Sequence, residues 1–339
     1  MMFIFNSTKD PGHYALYGII YSMFLRQMGF STVDAFKHLK SSEAIEISDA
    51  DLRRLQLVLV GIVTDIHTVC RENGLNYMLG GGTALGACRN RGFIPWDDDV
   101  DINIPRADYD RFIPLFRARF GAKYWIHTPA ETPGYGLALG RIRLKGTSVK
   151  TREDLANAQP ECGAFVDIFI VENAPSNSLL RLLHGFGSLS IGFLYSCRKF
   201  FYERRYVRRW AGENARMSGA FRLKLALGFF TAFASLDFWT RLWDRWNSMC
   251  RNDESEYVTV PVGRRHYYGE LTRRDGFCDT VDVEWEGAMR KVSKDLDVYM
   301  RRLYGPDFMT PPPPEKREKH VLFAPFILAS QSSDKEVKS

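Results

Sequence analysis

What this 339-residue chain lacks bounds it first. No apolar run reaches the ~18 to 20 residues that a spanning helix needs. The uncharged stretches at 185–197 and 225–236 both stop short of it. No secretory signal is evident either. Residues 11–25 are apolar and aromatic, but His13 interrupts them, and Lys9 and Asp10 precede them without a basic n-region. The six cysteines are scattered at Cys70, Cys88, Cys162, Cys197, Cys250 and Cys278, with no CxxC pair. Free thiols in a reducing compartment are expected, and a structural zinc is not. Neither a P-loop nor a GxGxxG fingerprint occurs, and no internal repeat is found. Neither sign of charge dominates: 46 Lys+Arg against 40 Asp+Glu leave a net +6. That mild excess suits an anionic substrate or a membrane surface and does not demand nucleic acid. The expected compartment is the cytoplasm, with a peripheral membrane position compatible.

What is present centres on residues 77–104, YMLGGGTALGACRNRGFIPWDDDVDINI. The pattern reads as an apolar strand, a glycine turn with Thr83, a short helix, and a second turn at Gly92–Trp96. A strand carrying Asp97, Asp99 and Asp101 is expected to follow. Side chains alternate across a strand, so these three carboxylates would share one face, with Val100, Ile102 and Ile104 on the other. Such a row repels itself unless a cation sits there. Carboxylate oxygens are hard ligands, which points to Mg²⁺ or Mn²⁺. A solvated acidic turn is the bland alternative. An EF-hand count places Asp97, Asp99, Asp101 and Asp108 at positions one, three, five and twelve. It fails because Ile102 stands where glycine is needed.

The surrounding chain alternates helix and strand. Ser48 with Asp51 forms an N-cap pattern, and Leu52, Leu55, Leu59, Ile62, Val63, Ile66 and Val69 recur at helical spacing until Asn73-Gly74. A helix is expected from about Ala107, strands over 137–144 and 165–170, and a helix near 288–304. The strand at 137–144 puts Arg141 and Arg143 on one face. Asp167 falls mid-strand between Phe165 and Phe169, where it needs a partner. That partner is either the reaction site or a core arginine such as Arg141 or Arg143. The whole predicts an α+β fold, a mixed sheet flanked by helices with a helical insertion. Its expected parts are an unassigned extension (1–47), a catalytic core (48–177), the helical basic-aromatic insertion (178–254), a closing segment (255–325) and a disordered polar tail (326–339).

The string GGTALGACRNRGFIPWDDDVDI resembles the LicD/fukutin family of the nucleotidyltransferase-fold superfamily. Agreement extends to LRRLQLVLVGIVTDIHTVCRENGLNYML, PRADYDRF, FVDIF, VDVEWEG and YMRRLYGPDFMTPPPPEKREKH. The likeness spans residues 50–175 and 280–320. Ala84 and Trp285 depart from the usual residues, with only packing consequences. The resemblance implies transfer of a phosphorylated alcohol, phosphocholine or a polyol phosphate, from a CDP-activated donor to a glycan hydroxyl, with release of CMP. It implies a metal-binding pair at Asp99 and Asp101 with Asp97 beside them. It also implies donor phosphates at Gly81, Gly82 and Thr83, and Asp167 as the third acidic residue, near the acceptor. Arg91 and Arg141, with Arg89 and Arg143, are candidates for phosphate contacts. Trp96 and Tyr77 are read as core residues before ligand-stacking ones. Nucleotidyl transfer from an NTP and a catalytically silent binding module are the competing functions.

The run from Arg198 to Trp210 interleaves arginines with aromatics. A solvated helix face is its default reading and an anionic membrane contact the second, which would suit a lipid-linked glycan acceptor. Nucleic acid ranks last, for want of a recognised module.

Overall fold

The computed structural model describes residues 44–156, 160–206, 219–314, 317 and 322–328. The extension up to residue 43, residues 329–339 of the tail, and Arg208, Arg209 and Trp210 of the basic-aromatic run lie outside the described residues. Phe326 and Ile327, expected in the disordered tail, instead end a strand, Leu322–Ile327. In chain order the strands are β1 (Ala44–Ile45), β2 (Met78–Leu79), β3 (Asp101–Pro105), β4 (Tyr124–His127), β5 (Gly140–Leu144) and β6 (Ser148–Lys150). They continue with β7 (Phe165–Ala174), β8 (Tyr257–Thr259), β9 (Thr272–Arg273), β10 (Thr280–Trp285), β11 (Ala288–Ser293) and β12 (Leu322–Ile327). The longer helices are α1 (Asp49–Glu72), α2 (Gly81–Asn90), α3 (Arg106–Phe120), α4 (Ser178–Tyr202), α5 (Gly219–Phe230), α6 (Leu236–Asn247) and α7 (Leu296–Tyr304).

Helix α1 begins where its cap predicts. The Ser48 hydroxyl oxygen accepts the Asp51 N–H at 3.1 Å, and Asn73 closes the last turn. Its apolar stripe, Leu52 to Val69, is buried against the sheet. The main sheet runs β2-β3-β7-β5-β4. Only β3 and β7 are parallel; the other pairs on this path are antiparallel, giving the expected mixed sheet. Ile102, Ile104, Ile142, Val166 and Ile168 form the apolar face under α1 and α3. The opposite face carries Asp101, Asp167, Arg141 and Arg143, while Glu172 of β7 falls by alternation on the helix side, where Arg106 pairs with it.

The closing segment differs from expectation over 288–293. Those residues form β11, antiparallel to β10, and helix begins only at Leu296. The cause is the connecting Glu286-Gly287, both at positive φ (51° and 73°), which is the backbone of a two-residue hairpin turn.

Helices α4, α5 and α6 pack on one another. Asn177 caps α4 by accepting from Leu179 N at 3.0 Å, and Ser235 caps α6 by accepting from Phe238 N at 3.1 Å. Glycines let α6 approach α4 closely: a Cβ at Gly187 or Gly192 would stand in the Trp246 or Trp243 ring. Arg106 at the start of α3 binds Glu172 of β7 and, at 2.7 Å, Asp244 of α6, which ties these helices to the sheet. Among the described residues no helix is long and apolar enough to cross a membrane. All six cysteines are free thiols.

Candidate active site

The glycine turn places the start of α2 against β3. Gly80 N–H donates to Asp101 O at 2.9 Å, and Ala84 N–H donates to Gly80 O at 2.8 Å. Gly81 sits at φ +43°, a left-handed conformation that disfavours a side chain. It also has no room for one, since a Cβ there would collide with Asp101 Oδ2. A Cβ at Gly82 would lie 3.0 Å from Asp97 Oδ2, and one at Gly80 would lie 2.7 Å from Asn103 Oδ1. Gly81 and Gly82 are therefore the floor on which the Asp101 and Asp97 carboxylates rest, and Gly80 lies under the Asn103 amide. α2 has no side-chain N-cap hydrogen bond. Its first N–H groups, those of Gly82 and Thr83 among them, point out of the helix end, where an anion is favoured.

The aspartates do not line one strand. Asp101 is the first residue of β3, while Asp97–Asp99 form irregular chain after the Pro95-Trp96 turn. Asp97 N–H donates to Ile94 O at 2.9 Å in that turn, and Gln56 Nε2 donates to Asp97 O at 3.0 Å from α1. The consequence is a tighter cluster than alternation allows. One carboxylate oxygen from each of Asp97, Asp98 and Asp99 lies within 4.8 Å of the others. Asp98, which a strand would have turned away, joins the group, and the Asp101 carboxylate lies over Gly81. Ligands of an octahedral Mg²⁺ lie about 3 Å apart when adjacent and about 4 Å when opposite. A slight closure of this all-oxygen set would reach that shell, so the residues fit a hard divalent ion.

A second feature crosses the sheet. Asp101 of β3 is the register partner of Asp167 on β7, Asp167 of Arg141 on β5, and Arg141 of His127 on β4. Register partners share a face, so these four side chains form one transverse row on the charged side. Asp167 and Arg141 are buried and bidentate: Nε donates to Oδ1 at 2.5 Å and Nη2 to Oδ2 at 2.8 Å. The core-arginine alternative for Asp167 is thus realised, and it coexists with a position beside Asp101. Burial disfavours charge on Arg141, but the Asp167 carboxylate more than offsets this and its pKa is raised. The Arg141 guanidinium stacks 3.8 Å from the Phe165 ring centroid. Its Nη1 is buried with no hydrogen-bond partner, as is the hydroxyl of Tyr135. Tyr135 stacks on His127 with centroids 5.1 Å apart. Burial, then Arg143 and Arg141, push the His127 imidazole down to about 4.

The remaining candidates fall in different places. The Thr83 hydroxyl oxygen accepts the Asp101 N–H at 2.9 Å, so it braces β3. Arg91 is the exposed C-cap of α2, 3.8 Å from Glu284 Oε2 and about 15 Å along the helix from Gly81. Arg143 pairs with Asp154 at 2.6 Å, and Arg89 Nη2 donates to Thr310 O at 3.0 Å. Tyr77 is buried with its hydroxyl 2.7 Å from His67 Nδ1, whereas Trp96 carries the Arg317 guanidinium 4.1 Å over its ring.

Besides Asp98, three residues escaped sequence reasoning. The Tyr299 hydroxyl on α7 accepts from Gly81 N at 3.3 Å and Asn103 Nδ2 at 3.1 Å, which holds the glycine turn to β3. Glu286 Oε1 in the β10–β11 turn accepts from Phe93 N at 3.0 Å and so fixes the loop leading to Asp97. No local pattern marks either contact, because the partners are 218 and 193 positions apart. His127 is legible only once the register of β4 on β5 is known.

Residues 74–132 match the sequence profile of the family described as LicD/FKTN/FKRP, nucleotidyltransferase domain. Over 294 residues, 82% of this chain and 98% of the relative, the sequence is 27% identical to the lipopolysaccharide cholinephosphotransferase LicD of Haemophilus influenzae. It is 34% identical over 82 residues to an uncharacterised protein of Rickettsia typhi and 34% over 70 residues to one of Rickettsia prowazekii. Each of these two matches covers 26% of the relative's length.

Proposed function

From its kinship with the LicD/fukutin family, carried by residues 74–132 and the longer Haemophilus match, we propose that this phosphotransferase moves a phosphorylated alcohol onto a glycan hydroxyl. The donor is a CDP-alcohol, with phosphocholine first and a polyol phosphate second, and CMP is released. The acceptor is lipid-linked, by analogy with the lipopolysaccharide in the relative's name. The observation that carries the reading is the in-register pair Asp101–Asp167 beside the glycine-floored start of α2.

In this scheme the donor diphosphate lies at the N-terminus of α2, where Gly82 and Thr83 N–H groups and the helix end favour negative charge. Asp97, Asp98 and Asp99, with Asp101 alongside, would hold Mg²⁺ or Mn²⁺, whose charge offsets that developing on the phosphate oxygens. Asp167 receives the acceptor. Each of its oxygens gives one lone pair to Arg141 and keeps another for the hydroxyl proton. The hydroxyl oxygen forms its bond to the distal phosphorus, the bond from that phosphorus to CMP breaks, and the proton passes to the carboxylate. Arg141 holds that carboxylate in one orientation, which in turn positions the hydroxyl for in-line attack.

The test supplies CDP-alcohols and NTPs in turn, with Mg²⁺ or Mn²⁺ and an acceptor glycan, and identifies the released product. CMP is expected. Pyrophosphate would replace the reading with NTP-dependent nucleotidyl transfer, and neither product would leave a binding module.

A further inference from the structure

We propose that the tip of the helical segment, where α5 runs into α6, docks on an anionic lipid bilayer. Phe229, Phe230, Phe233 and Phe238 there are 64%, 71%, 80% and 47% exposed. Single exposed apolar residues are ordinary, but these four fall within one stretch, 229–238, at the junction of α5 and α6. Phe229 meets Phe230 with ring centroids 5.8 Å apart, and Phe233 and Phe238 meet Trp239 at 5.9 Å and 5.5 Å. The patch covers the end of α5, the turn Thr231–Phe233 and the first turn of α6.

Charge names the partner. Residues 178–254 contain 13 Lys+Arg against 6 Asp+Glu, an excess of 7, whereas the whole chain's excess is 6. The net positive charge of the protein thus resides in this segment. At the patch it takes a definite form: a groove of about 270 Å³ is lined by Phe238, Arg241, Leu242 and Arg245, with Ser235 and Asp237. Phe238, Arg241, Leu242 and Arg245 follow at helical spacing, so two exposed guanidiniums flank two apolar side chains on one face of α6. The Asp237 carboxylate is turned to the Gly134 N–H, at 2.9 Å and 3.1 Å, and is already engaged by it. Aromatic rings at the level of the headgroups with arginines on the phosphates are the chemistry of an interfacial contact. With no described helix able to span, the contact is peripheral. The inference stands apart from the proposed reaction, because it is read by binding alone.

The full chain is sedimented with vesicles of phosphatidylcholine, with or without roughly one-third phosphatidylglycerol. Binding is expected with the anionic vesicles and to fall as salt rises from about 0.05 to about 0.5 M. Phe230→Ser with Phe233→Ser should lower partitioning by about 50-fold or more. Arg241→Gln with Arg245→Gln should lower it by about 30-fold and remove most of the salt dependence. Melting temperature and sedimentation velocity accompany each variant. The proposal is overturned if wild type ignores anionic vesicles, or if the phenylalanine pair binds as well as wild type. It is also overturned if that pair dissociates a homodimer whose interface is the patch.

Discussion

Gly81→Ala probes both what the glycine floor costs and what it holds. An alanine at φ +43° carries a backbone cost of about 1–2 kcal/mol, because its Cβ crowds the following carbonyl. It must also displace the Asp101 carboxylate, and restoring an ordinary contact distance needs a shift of about 1 Å. A misplacement of that size in a positioned group can cost about 100-fold in rate. The two effects are separable by comparison. Gly74→Ala carries the backbone cost alone, since its φ is +60° and a Cβ there meets nothing within 4 Å. Gly61→Ala, in the middle of α1 with nothing within 4 Å, should gain about 0.5–1 kcal/mol. Thermal unfolding followed by circular dichroism is thus expected to place Gly81→Ala and Gly74→Ala a few degrees below wild type and Gly61→Ala slightly above it. CMP release should fall about 100-fold in Gly81→Ala only. Equal turnover in Gly81→Ala and Gly74→Ala would refute the claim that the Asp101 carboxylate must sit where the missing side chain leaves it.

Asp101→Asn should abolish turnover with melting unchanged, and a variant that still turns over would remove the metal role of that carboxylate. Asp98→Asn should raise the Mg²⁺ needed for half-maximal CMP release by about 10-fold or more. Asp167→Asn strands the Arg141 charge in a buried site and should cost about 3–5 kcal/mol of stability in denaturant titration. Tyr299→Phe removes the acceptor shared by Gly81 N–H and buried Asn103, which costs about 1–3 kcal/mol and lowers kcat more than it raises KM. His127 gives a pH signature. Its folded pKa of about 4 lies below the ordinary value near 6.5, so the unfolded chain binds the extra proton between them. Its contribution is whole above pH 6.5 and is lost as pH falls toward 4, by up to about 3 kcal/mol. His127→Asn should flatten the stability curve in that window relative to wild type, and parallel curves would count against it.

The sequence by itself determined the elements whose signal is local. The cap at Ser48 and the apolar stripe from Leu52 to Val69 fix α1, because helix periodicity is written within a few turns. The three glycines ahead of an apolar segment marked a turn where backbone approaches something closely. The dense run of aspartates marked where charge must be neutralised, and the family likeness followed from the same residues. Only tertiary structure decided how those charges are arranged. Strand alternation grouped Asp97, Asp99 and Asp101, but Pro95 and Trp96 delay the strand to Asp101, so Asp98 is brought into the cluster as well. That Asp167 is both clamped by Arg141 and alongside Asp101 depends on the order and register of three strands drawn from residues 101–174, which no local period encodes. Tyr299 and Glu286 reach the site from the far end of the chain for the same reason: a hydrogen bond between remote segments exists only once the fold has brought them together.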